Sequence, residues 1–474
     1  MLTAANAGVL HIHSSDPKRK SEKLIIQRRS EMDKLLINYL EKEGPVKAMN
    51  AVNNGPVSSE NVRQNGNSEL YKAAKIPYAR LHDSAFFAYY GSRTVDVHRI
   101  FADFDADVND PASYYFDDTD NYIAGILSAG TDVIYRLGAC IEHEEKLGTK
   151  VPKDYHKWAE ICAHIIRHLN EGWANGHHFG IKYWEIWNEP DCRNADGSNP
   201  CWQGTPEQFA DFFEVVAKYL KAEFPDLQFG GPAFCDMYDP VDEYYLSEFQ
   251  KRNVKLDFIS YHRYCWDIEN FKDYIRMSNA LFAKYGYGDL PKQLNEFNYN
   301  KGWLGQDYKK SLKTISNLKG SSFMASCMCA GQHEDLEVLG YYDARPCGFN
   351  GLFSAYWYEP LKSYYAFKSF GELRDYKDSY KVETPEKVYA AAAWDGEKGG
   401  IMFSYFDDDE TLADKELEVT IKNPGKKVKA EYFILDETRD LEKIRTDVFT
   451  GTEFTAFLTV PIYTTVFIRL TELS

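Results

Sequence analysis

Between residues 46 and 372, short apolar stretches alternate with segments of helical periodicity, and this alternation narrows the folds open to the chain more than any other feature. The apolar stretches with the length and composition of buried strands are 46–52, 78–81, 132–138, 182–187, 228–231, 258–261, 293–297 and 338–342. Strands that alternate with helices pair in parallel, and eight such units close into a barrel more readily than they extend an open sheet. The sequence therefore predicts an α/β protein built on a (β/α)8 TIM barrel.

Two of the predicted helices carry clear signals. Between the third and fourth strands, apolar residues from Trp158 to Leu169 recur at steps of three and four. After the fourth strand, Thr205 and Gln208 have the spacing of a capping box, and Pro206 occupies the first helical position. We expect one helix through 158–169 and another that begins at Pro206.

After about residue 385, strand-like segments follow one another without helices between them. These segments are 388–394, 401–406, 417–421, 429–435, 453–458 and 464–470. Residues 8–14 alternate in polarity and are expected to add a strand to the same unit. The pattern predicts a catalytic barrel over 24–384 and an accessory β-sandwich formed by 1–23 and 385–474. Residues 89–122, rich in Asp and aromatic side chains, are expected to form a long loop over the active face of the barrel.

Charge and cysteine content exclude several classes of function. The 55 Lys and Arg residues against 72 Asp and Glu residues give a net charge of −17, which would repel nucleic acid and anionic lipid. We therefore expect neither nucleic acid nor a membrane as a partner, and no apolar run reaches the 18 residues of a membrane-spanning helix. The nine scattered cysteines and the absence of a secretory signal pattern favour reduced thiols and a cytoplasmic location.

The sequence contains no motif for a cofactor. GxxxxGK[ST], GxGxxG, GxSxG and HExxH are all absent. His143 and His333 each precede acidic residues but lack a second histidine four positions later, and His177 with His178 is interpreted as a surface turn. We expect no cofactor and no metal ion.

Two glutamates carry the main chemical signal. Glu189 follows the fourth strand and precedes Pro190, while Glu296 lies at the end of the seventh strand. Residues at the carboxyl ends of barrel strands face the active site, so both side chains are expected in one cleft. Glu185 is an even number of residues from Glu189 and would face the same side of the strand, but it lies deeper in the barrel. We expect a structural role for it. Paired carboxylates around a scissile bond are what glycoside hydrolysis requires.

The chain resembles glycoside hydrolase family 39, a family of barrel enzymes with β-xylosidase and α-L-iduronidase members. The motifs that carry the resemblance are WNEP at 187–190, NEFN at 295–298, YARLH at 78–82 and FISYHRY at 258–264. The resemblance implies a retaining, double-displacement mechanism with Glu189 as acid/base and Glu296 as nucleophile.

The resemblance also implies roles for neighbouring side chains. Arg80 is expected to hydrogen-bond the nucleophile and hold its pKa down, a task that suits a guanidinium group. Further residues are expected to bind the sugar through hydrogen bonds or flat aromatic faces: Asn188, His82, His262, Tyr264, Tyr342, Asp343 and Trp187.

Departures from the xylosidase pattern leave the sugar open. Asp83 stands where family xylosidases have a glycine soon after the strand-two histidine, and strand eight ends without their tryptophan. We favour an exo-acting enzyme that removes a terminal pentose, as from a β-xyloside, from small plant-derived glycosides. An α-L-arabinosidase is the alternative within the family, and a transglycosylase or a non-catalytic carbohydrate-binding protein are alternatives of other classes. Oligomers are common in the family, so a homo-oligomer is compatible with the resemblance.

Overall fold

The computed structural model describes residues 10–11, 32–56, 66–84, 94–140 and 148–473. The described strands are β1 (Leu10–His11), β2 (Asp33–Pro45), β3 (Ala48–Asn53), β4 (Tyr78–Arg80), β5 (Asp132–Leu137), β6 (Tyr183–Ile186), β7 (Gln228–Phe234), β8 (Phe258–Cys265), β9 (Lys292–Tyr299), β10 (Val338–Tyr341), β11 (Asp378–Glu383), β12 (Val388–Trp394), β13 (Lys398–Tyr405), β14 (Lys415–Lys422), β15 (Lys427–Leu435), β16 (Asp440–Thr450), β17 (Glu453–Val460) and β18 (Thr465–Glu472). The described helices are α1 (Ser68–Ala74), α2 (Val97–Ile100), α3 (Asp117–Ser128), α4 (Tyr155–Glu171), α5 (Pro206–Glu223), α6 (Pro240–Lys251), α7 (Ile268–Lys284), α8 (Gly305–Ile315), α9 (Leu318–Gln332) and α10 (Lys362–Asp375).

Eight parallel strands close a barrel in the order β10-β3-β4-β5-β6-β7-β8-β9. These are the eight strands that the alternation predicts, so the predicted fold class is confirmed. Strands β8 and β9 run four and two residues beyond their predicted carboxyl ends, to Cys265 and Tyr299. The extension matters because it carries side chains from the barrel interior up to its rim.

Helix α5 begins at Pro206, as its capping residues predict, and helix α4 contains the predicted residues 158–169. The Asp154 side chain accepts a hydrogen bond from the Lys157 backbone amide at the start of α4. In α5, the Gln208 amide donates to Thr205 Oγ1 over 3.2 Å, and the Thr205 amide donates to Gln208 Oε1 over 2.9 Å. Both bonds of the predicted capping box are therefore present, and both helices bury their apolar faces against the barrel.

A second sheet contains every strand predicted after residue 385. Its strand order is β1-β17-β14-β2-β11-β12-β13-β18-β15-β16, and most of its pairs are antiparallel. Residues 10–11 pair with β17, as expected for a strand within 8–14, whose other residues lie outside the described ranges. The sheet is continuous but curls over, because buried side chains from distant strands share one core: Leu35 and Ile37 of β2, Val419 of β14, Tyr432 of β15 and Ile468 of β18.

The predicted barrel range of 24–384 includes two strands that belong to the second sheet. Strand β2 (Asp33–Pro45) pairs with β14 and with β11 (Asp378–Glu383), and neither pairs with a barrel strand. The barrel strands therefore run from Ala48 to Tyr341, inside the predicted boundaries. The partners of β2 are more than 300 residues away in the sequence. The local pattern of apolar and polar residues therefore could not indicate this pairing.

Two helices of the barrel domain are buried beneath the second sheet. Helix α9 is buried from Gly320 to Gln332, and its Ser322 hydroxyl lies 2.9 Å from the Ser404 hydroxyl of β13. Glu372 of α10 forms an ion pair with Arg469 of β18, with 2.7 Å between Oε2 and Nη2. The two units therefore share a buried, hydrogen-bonded interface.

The segment 89–122 differs from the loop predicted over the active face. Its residues 89–93 lie outside the described ranges, whereas the later part packs along the side of α4. The Lys157 ammonium donates to the Ala106 carbonyl over 2.8 Å, and the Phe116 ring stacks on His168 with 3.6 Å between centroids. Residues 117–122 belong to helix α3 rather than to a loop. Aromatic side chains in this segment serve packing between helices.

Within the described ranges, none of the helices is both long enough and apolar enough to cross a bilayer.

Candidate active site

Glu189 is presented by a strained turn at the end of β6. The strand stops at Ile186, and Trp187 and Glu189 then adopt left-handed backbone conformations with φ of 74° and 49°. Such conformations are costly for residues with a side chain and persist where the surroundings hold them. The Glu189 amide donates to the Ala233 carbonyl of β7 over 2.9 Å, and the Trp187 amide donates to the Leu137 carbonyl of β5 over 2.8 Å. The turn is thus anchored to both neighbouring strands.

Trp187 anchors this turn from outside the cleft, so its predicted contact with a sugar is wrong. Its ring packs against Trp202 and Phe212, with centroids 5.2 Å away in each case, and its indole NH donates to the Cys201 carbonyl over 2.9 Å. Period-two alternation would place residue 187 on the same face as residues 185 and 189. The left-handed backbone at Trp187 breaks that alternation and turns its ring toward α5.

Glu296 lies on β9 inside the barrel and has two strong hydrogen-bond donors. The Tyr264 hydroxyl of β8 donates to Oε1 over 2.6 Å, and Arg80 Nη1 of β4 donates to Oε2 over 3.1 Å. Both donors were predicted to lie at this site, and the structure brings them to opposite oxygens of one carboxylate. A phenol and a guanidinium group stabilise the ionised form of the acid that accepts from them.

Arg80 is the hub of a buried polar network beneath the two glutamates. Besides Glu296, its guanidinium donates to Glu185 Oε2 over 2.7 Å, to Asn53 Oδ1 over 3.0 Å and to Asn188 Oδ1 over 2.6 Å. Glu185 therefore lies below the pair of glutamates as the partner of Arg80, which fits the structural role expected for it. Because Arg80 fixes the oxygen of Asn188, the amide nitrogen of that residue is left as a buried donor without a partner among the described residues.

His262 of β8 connects the two glutamates. Its Nδ1 lies 2.7 Å from Glu189 Oε1 and 3.6 Å from Glu296 Oε2. One carboxylate oxygen of Glu189, one of Glu296 and a ring nitrogen of His262 all lie within 4.8 Å of one another. The predicted pair of carboxylates is therefore brought together, as the positions of their strands indicate.

The surroundings of the two glutamates separate their protonation states. Burial raises the pKa of Glu189 well above its ordinary value, and the neighbouring Cys192 and Asp191 raise it further. Burial also raises the pKa of Glu296, to about 7, while Arg80 and Tyr264 oppose this rise. Two adjacent carboxylates resist ionising together, and the one with the better donors loses its proton first. Glu296 is thus the first of the two to ionise as the pH rises, and Glu189 keeps its proton longer.

His262 remains neutral beside these acids. Burial lowers the pKa of its imidazole to about 4, although the charge of Glu296 opposes the change. A neutral imidazole can carry its proton on Nδ1 and donate it to whichever form of Glu189 accepts it. The ring therefore orients Glu189 without adding a charge to the cleft.

Three thiols surround Glu189, and sequence reasoning missed them. Cys201 Sγ lies 3.9 Å from Glu189 Oε2. Hydrogen bonds from Cys201 and Cys235 lower the pKa of the Cys192 thiol, which lies next to the same carboxyl group. Cys192 and Cys201 bracket one loop, but Cys235 follows β7, so only the barrel geometry places all three at the acid.

The structure places the remaining predicted sugar-binding residues along one wall of the site. The Tyr342 hydroxyl donates to Asp83 Oδ2 over 2.5 Å, and the ring lies 6.4 Å from that of His82. His82 is fully buried, and neither ring nitrogen has a hydrogen-bond partner among the described residues. Burial lowers the pKa of His82 well below its ordinary value, so this imidazole is neutral and can both donate and accept.

Asp343 was predicted to bind the sugar, but its carboxylate is already occupied by protein partners. It forms an ion pair with Arg345 over 2.8 Å and accepts from Asn54 Nδ2 over 3.1 Å. The Arg345 backbone amide donates to it as well, over 2.7 Å. These bonds support the wall that carries Tyr342, and they leave Asp343 a positioning role.

Two rings at the mouth of the site were not assigned from the sequence. The Trp303 ring is 55% exposed and packs edge-on against Tyr264, with 4.8 Å between centroids. Phe349 lies 5.7 Å from Tyr342 and 6.0 Å from Trp303. An exposed indole beside a buried polar cluster offers a flat apolar face to a sugar ring or an attached group.

Comparison with known proteins agrees with this geometry. The family model described as glycosyl hydrolases family 39 matches residues 138–297, a range that includes both Glu189 and Glu296. A β-xylosidase of Geobacillus stearothermophilus is 24% identical over 270 residues. That match takes in about half of each protein, 51% of this chain and 52% of the xylosidase.

Solved structures share the whole architecture. A glucosidase from Croceicoccus marinus superposes with a TM-score of 0.76 at 19% identity, covering 94% of this chain and 100% of that one. A monomeric β-xylosidase from Caulobacter crescentus CB15 superposes with a TM-score of 0.68 at 15% identity, covering 93% and 100%. At these identities the likeness establishes the fold.

Replacing Arg80 tests whether it holds the polar network together. We expect Arg80→Met to lower the free energy of unfolding by about 3–5 kcal/mol, because it leaves the buried Glu185 carboxylate without its cation. The double variant Arg80→Met/Glu185→Gln should lose less than the sum of the two single variants, because it also removes the uncompensated charge. Urea denaturation of the four proteins measures the difference. Additive losses would show that the two side chains do not depend on each other.

Proposed function

We propose that the chain is a retaining exo-glycosidase of the kind found in glycoside hydrolase family 39, whose model matches residues 138–297, with Glu189 as acid/base and Glu296 as nucleophile. The observation that carries this proposal is that one carboxylate oxygen of Glu189 and one of Glu296 lie within 4.8 Å of each other. Retaining glycosidases place their carboxyl groups roughly 5–5.5 Å apart, whereas inverting enzymes keep about 6.5–9.5 Å for a water molecule. The short separation favours direct attack by one carboxylate.

In the first step, Glu296 attacks the anomeric carbon while Glu189 protonates the leaving oxygen. An oxygen of Glu296 forms the new bond to carbon, the glycosidic C–O bond breaks, and its electron pair takes the proton of Glu189. The donors on Glu296 support this assignment, since Arg80 and Tyr264 keep its carboxylate ionised. The apolar, thiol-lined surroundings of Glu189 keep that acid protonated until the leaving group needs the proton.

In the second step, the ionised Glu189 removes a proton from water, whose oxygen attacks the anomeric carbon. The bond from that carbon to Glu296 breaks, and the carboxylate regains its electron pair. Two inversions leave the configuration of the sugar unchanged. His262 can donate from Nδ1 to the newly ionised Glu189 over the 2.7 Å that separates them, and this stabilises the base form.

Buried donors and acceptors without partners support sugar binding next to this pair. The Asn188 amide nitrogen and both ring nitrogens of His82 have no hydrogen-bond partner among the described residues. Such buried groups are costly unless something pairs with them, and sugar hydroxyls supply both donors and acceptors. We assign both side chains to the terminal sugar, with Tyr342 beside them and Trp303 at the outer end.

A terminal pentose, as in a β-xyloside, is our preferred substrate. The matched relative from Geobacillus stearothermophilus is a β-xylosidase, and both glutamates here are almost fully buried, which suits a chain end better than the interior of a polymer. Small plant-derived glycosides would then be hydrolysed in the cytoplasm, a location that the nine free thiols support. We propose neither nucleic acid nor a membrane as a partner; a homo-oligomer stays a prediction.

Replacing each glutamate separately tests its role. Glu296→Ala should abolish turnover of aryl glycosides, because no covalent intermediate can form. Glu189→Ala should lose about 10²–10⁴-fold on substrates with poor leaving groups and much less on nitrophenyl glycosides, which need little protonation. Steady-state kinetics measure both, with the exposed Glu437→Ala in the second sheet as control. Activity of Glu296→Ala near that of the parent would refute the nucleophile assignment.

Removing the Tyr264 hydroxyl tests the electrostatics of the nucleophile. That hydrogen bond lowers the pKa of Glu296, which lies at about 7, so Tyr264→Phe raises it. The ionised carboxylate is the active form, and the acid limb of kcat/KM should therefore move to higher pH, by about one to two pH units for a bond worth 1.5–3 kcal/mol. Tyr299→Phe is the control. Tyr299 lies on β9, the strand of Glu296, but its hydroxyl donates to Asp408, so this variant should leave the acid limb of kcat/KM in place. An unmoved limb in Tyr264→Phe would show that another group sets it.

A panel of nitrophenyl glycosides tests the sugar. We expect the highest kcat/KM for the β-D-xyloside, because the matched relative from Geobacillus stearothermophilus is a β-xylosidase. An α-L-arabinoside or β-D-glucoside turned over about tenfold faster would replace the xyloside as substrate. Chromatography of the products, with a second sugar added as acceptor, distinguishes hydrolysis from transglycosylation. No turnover and measurable sugar binding would identify a carbohydrate-binding protein instead.

A further inference from the structure

A second cluster of potential metal ligands lies outside the active site. It contains Asp120 of α3, His168 of α4 and His177 in the segment that follows α4. His168 Nε2 lies 3.0 Å from Asp120 Oδ2, and His177 Nε2 lies 3.2 Å from the same oxygen. Among the described residues, these two histidines are the side chains found next to the Asp120 carboxylate. Three elements of the chain thus meet at one carboxylate.

Both imidazoles are held in place before any ligand binds. The His168 ring stacks on Phe116, with 3.6 Å between centroids and 5° between planes. The His177 ring stacks on Phe179 at 4.3 Å and 7°. His168 Nδ1 also lies 2.8 Å from the Trp173 carbonyl oxygen, which can only accept. An imidazole whose second nitrogen donates to a backbone carbonyl is the usual arrangement of a metal-binding histidine.

This arrangement leaves an unfavourable contact unless a cation lies between the groups. Because Nδ1 of His168 donates to Trp173, a neutral ring has a lone pair on Nε2. That lone pair faces the carboxylate of Asp120 at 3.0 Å, so two acceptors oppose each other. Either an extra proton on the ring or a metal ion resolves the opposition.

We propose that Asp120, His168 and His177 bind a divalent transition-metal ion of the zinc type. Nitrogen and carboxylate donors suit such ions, and ligand atoms around a tetrahedral zinc lie about 3.3 Å apart, given metal–ligand distances of 2.0–2.2 Å. The observed separations of 3.0 and 3.2 Å are close to this value. Asp120 and His177 are 18% and 39% exposed, which leaves the fourth position open to water. The ion would tie α3 to α4 and stabilise the fold.

Zinc binding to the metal-free protein tests this site. After chelator treatment, the parent, His177→Ala and His178→Ala are each titrated with Zn²⁺ by calorimetry, and their melting temperatures are measured with and without the ion. His178 is the matched control because it is the exposed neighbour of His177 and its Nδ1 contacts the Asn170 carbonyl, outside the cluster. Asp120→Asn serves as a second variant that retains the shape of the side chain. The half-exposed position of His177 makes its replacement compatible with folding.

We expect one zinc equivalent to bind to the parent and to His178→Ala and to raise their melting temperatures. In His177→Ala and Asp120→Asn this binding should weaken by more than about tenfold, the scale on which even outer-sphere partners affect metal affinity. Equal zinc stoichiometry, affinity and melting shift in all four proteins would overturn the proposal and leave an ion pair at this position. Zinc could also bind to Cys192 and Cys201 beside Glu189. Zinc bound there should inhibit glycosidase activity, because Glu189 is the proposed acid/base, whereas zinc bound at Asp120, His168 and His177 should not.

Discussion

The buried guanidinium group of Arg80 is the interaction on which the site depends. It joins side chains from β3, β6 and β9 and the turn after β6, so one cation holds four parts of the barrel in register. Burying a charge is costly unless its partners satisfy it, and here two carboxylates and two amide oxygens do so. Glu185 neutralises the cation, while Asn188 and Glu296 receive their orientation from it.

The same network explains how two like acids can work at one centre. Burial alone would protonate both glutamates, because a carboxylate without water is unstable. The donors from Arg80 and Tyr264 reach only Glu296, while Glu189 faces thiols and a neutral His262. In the proposed mechanism, the different roles of the two acids therefore follow from which strand each neighbour lies on. His262, between the two, supports both without changing their total charge.

Most of the fold and the central pair were predictable, because both depend on local pattern. The eight barrel strands, the capping box at Thr205, and the positions of Glu189 and Glu296 follow from periodicity and strand ends. The position of Trp187 did not follow, because its left-handed backbone turns the ring out of the cleft, and the motif gives no sign of that turn. Strand β2 and the thiol of Cys235 were missed for another reason: their partners are distant in sequence and only the closed topology brings them together.

Because of the left-handed turn after β6, the position of Glu189 depends on the packing of the aromatic core. Trp187 is clamped by Trp202 and Phe212, and Glu189 follows it by two residues, so any shift of these rings is transmitted to the carboxyl group. Transplanting the four residues WNEP onto the fourth strand of another barrel would therefore not transplant a working acid. A transplant would also have to include residues 199–212, which pack against the Trp187 indole and hydrogen-bond it.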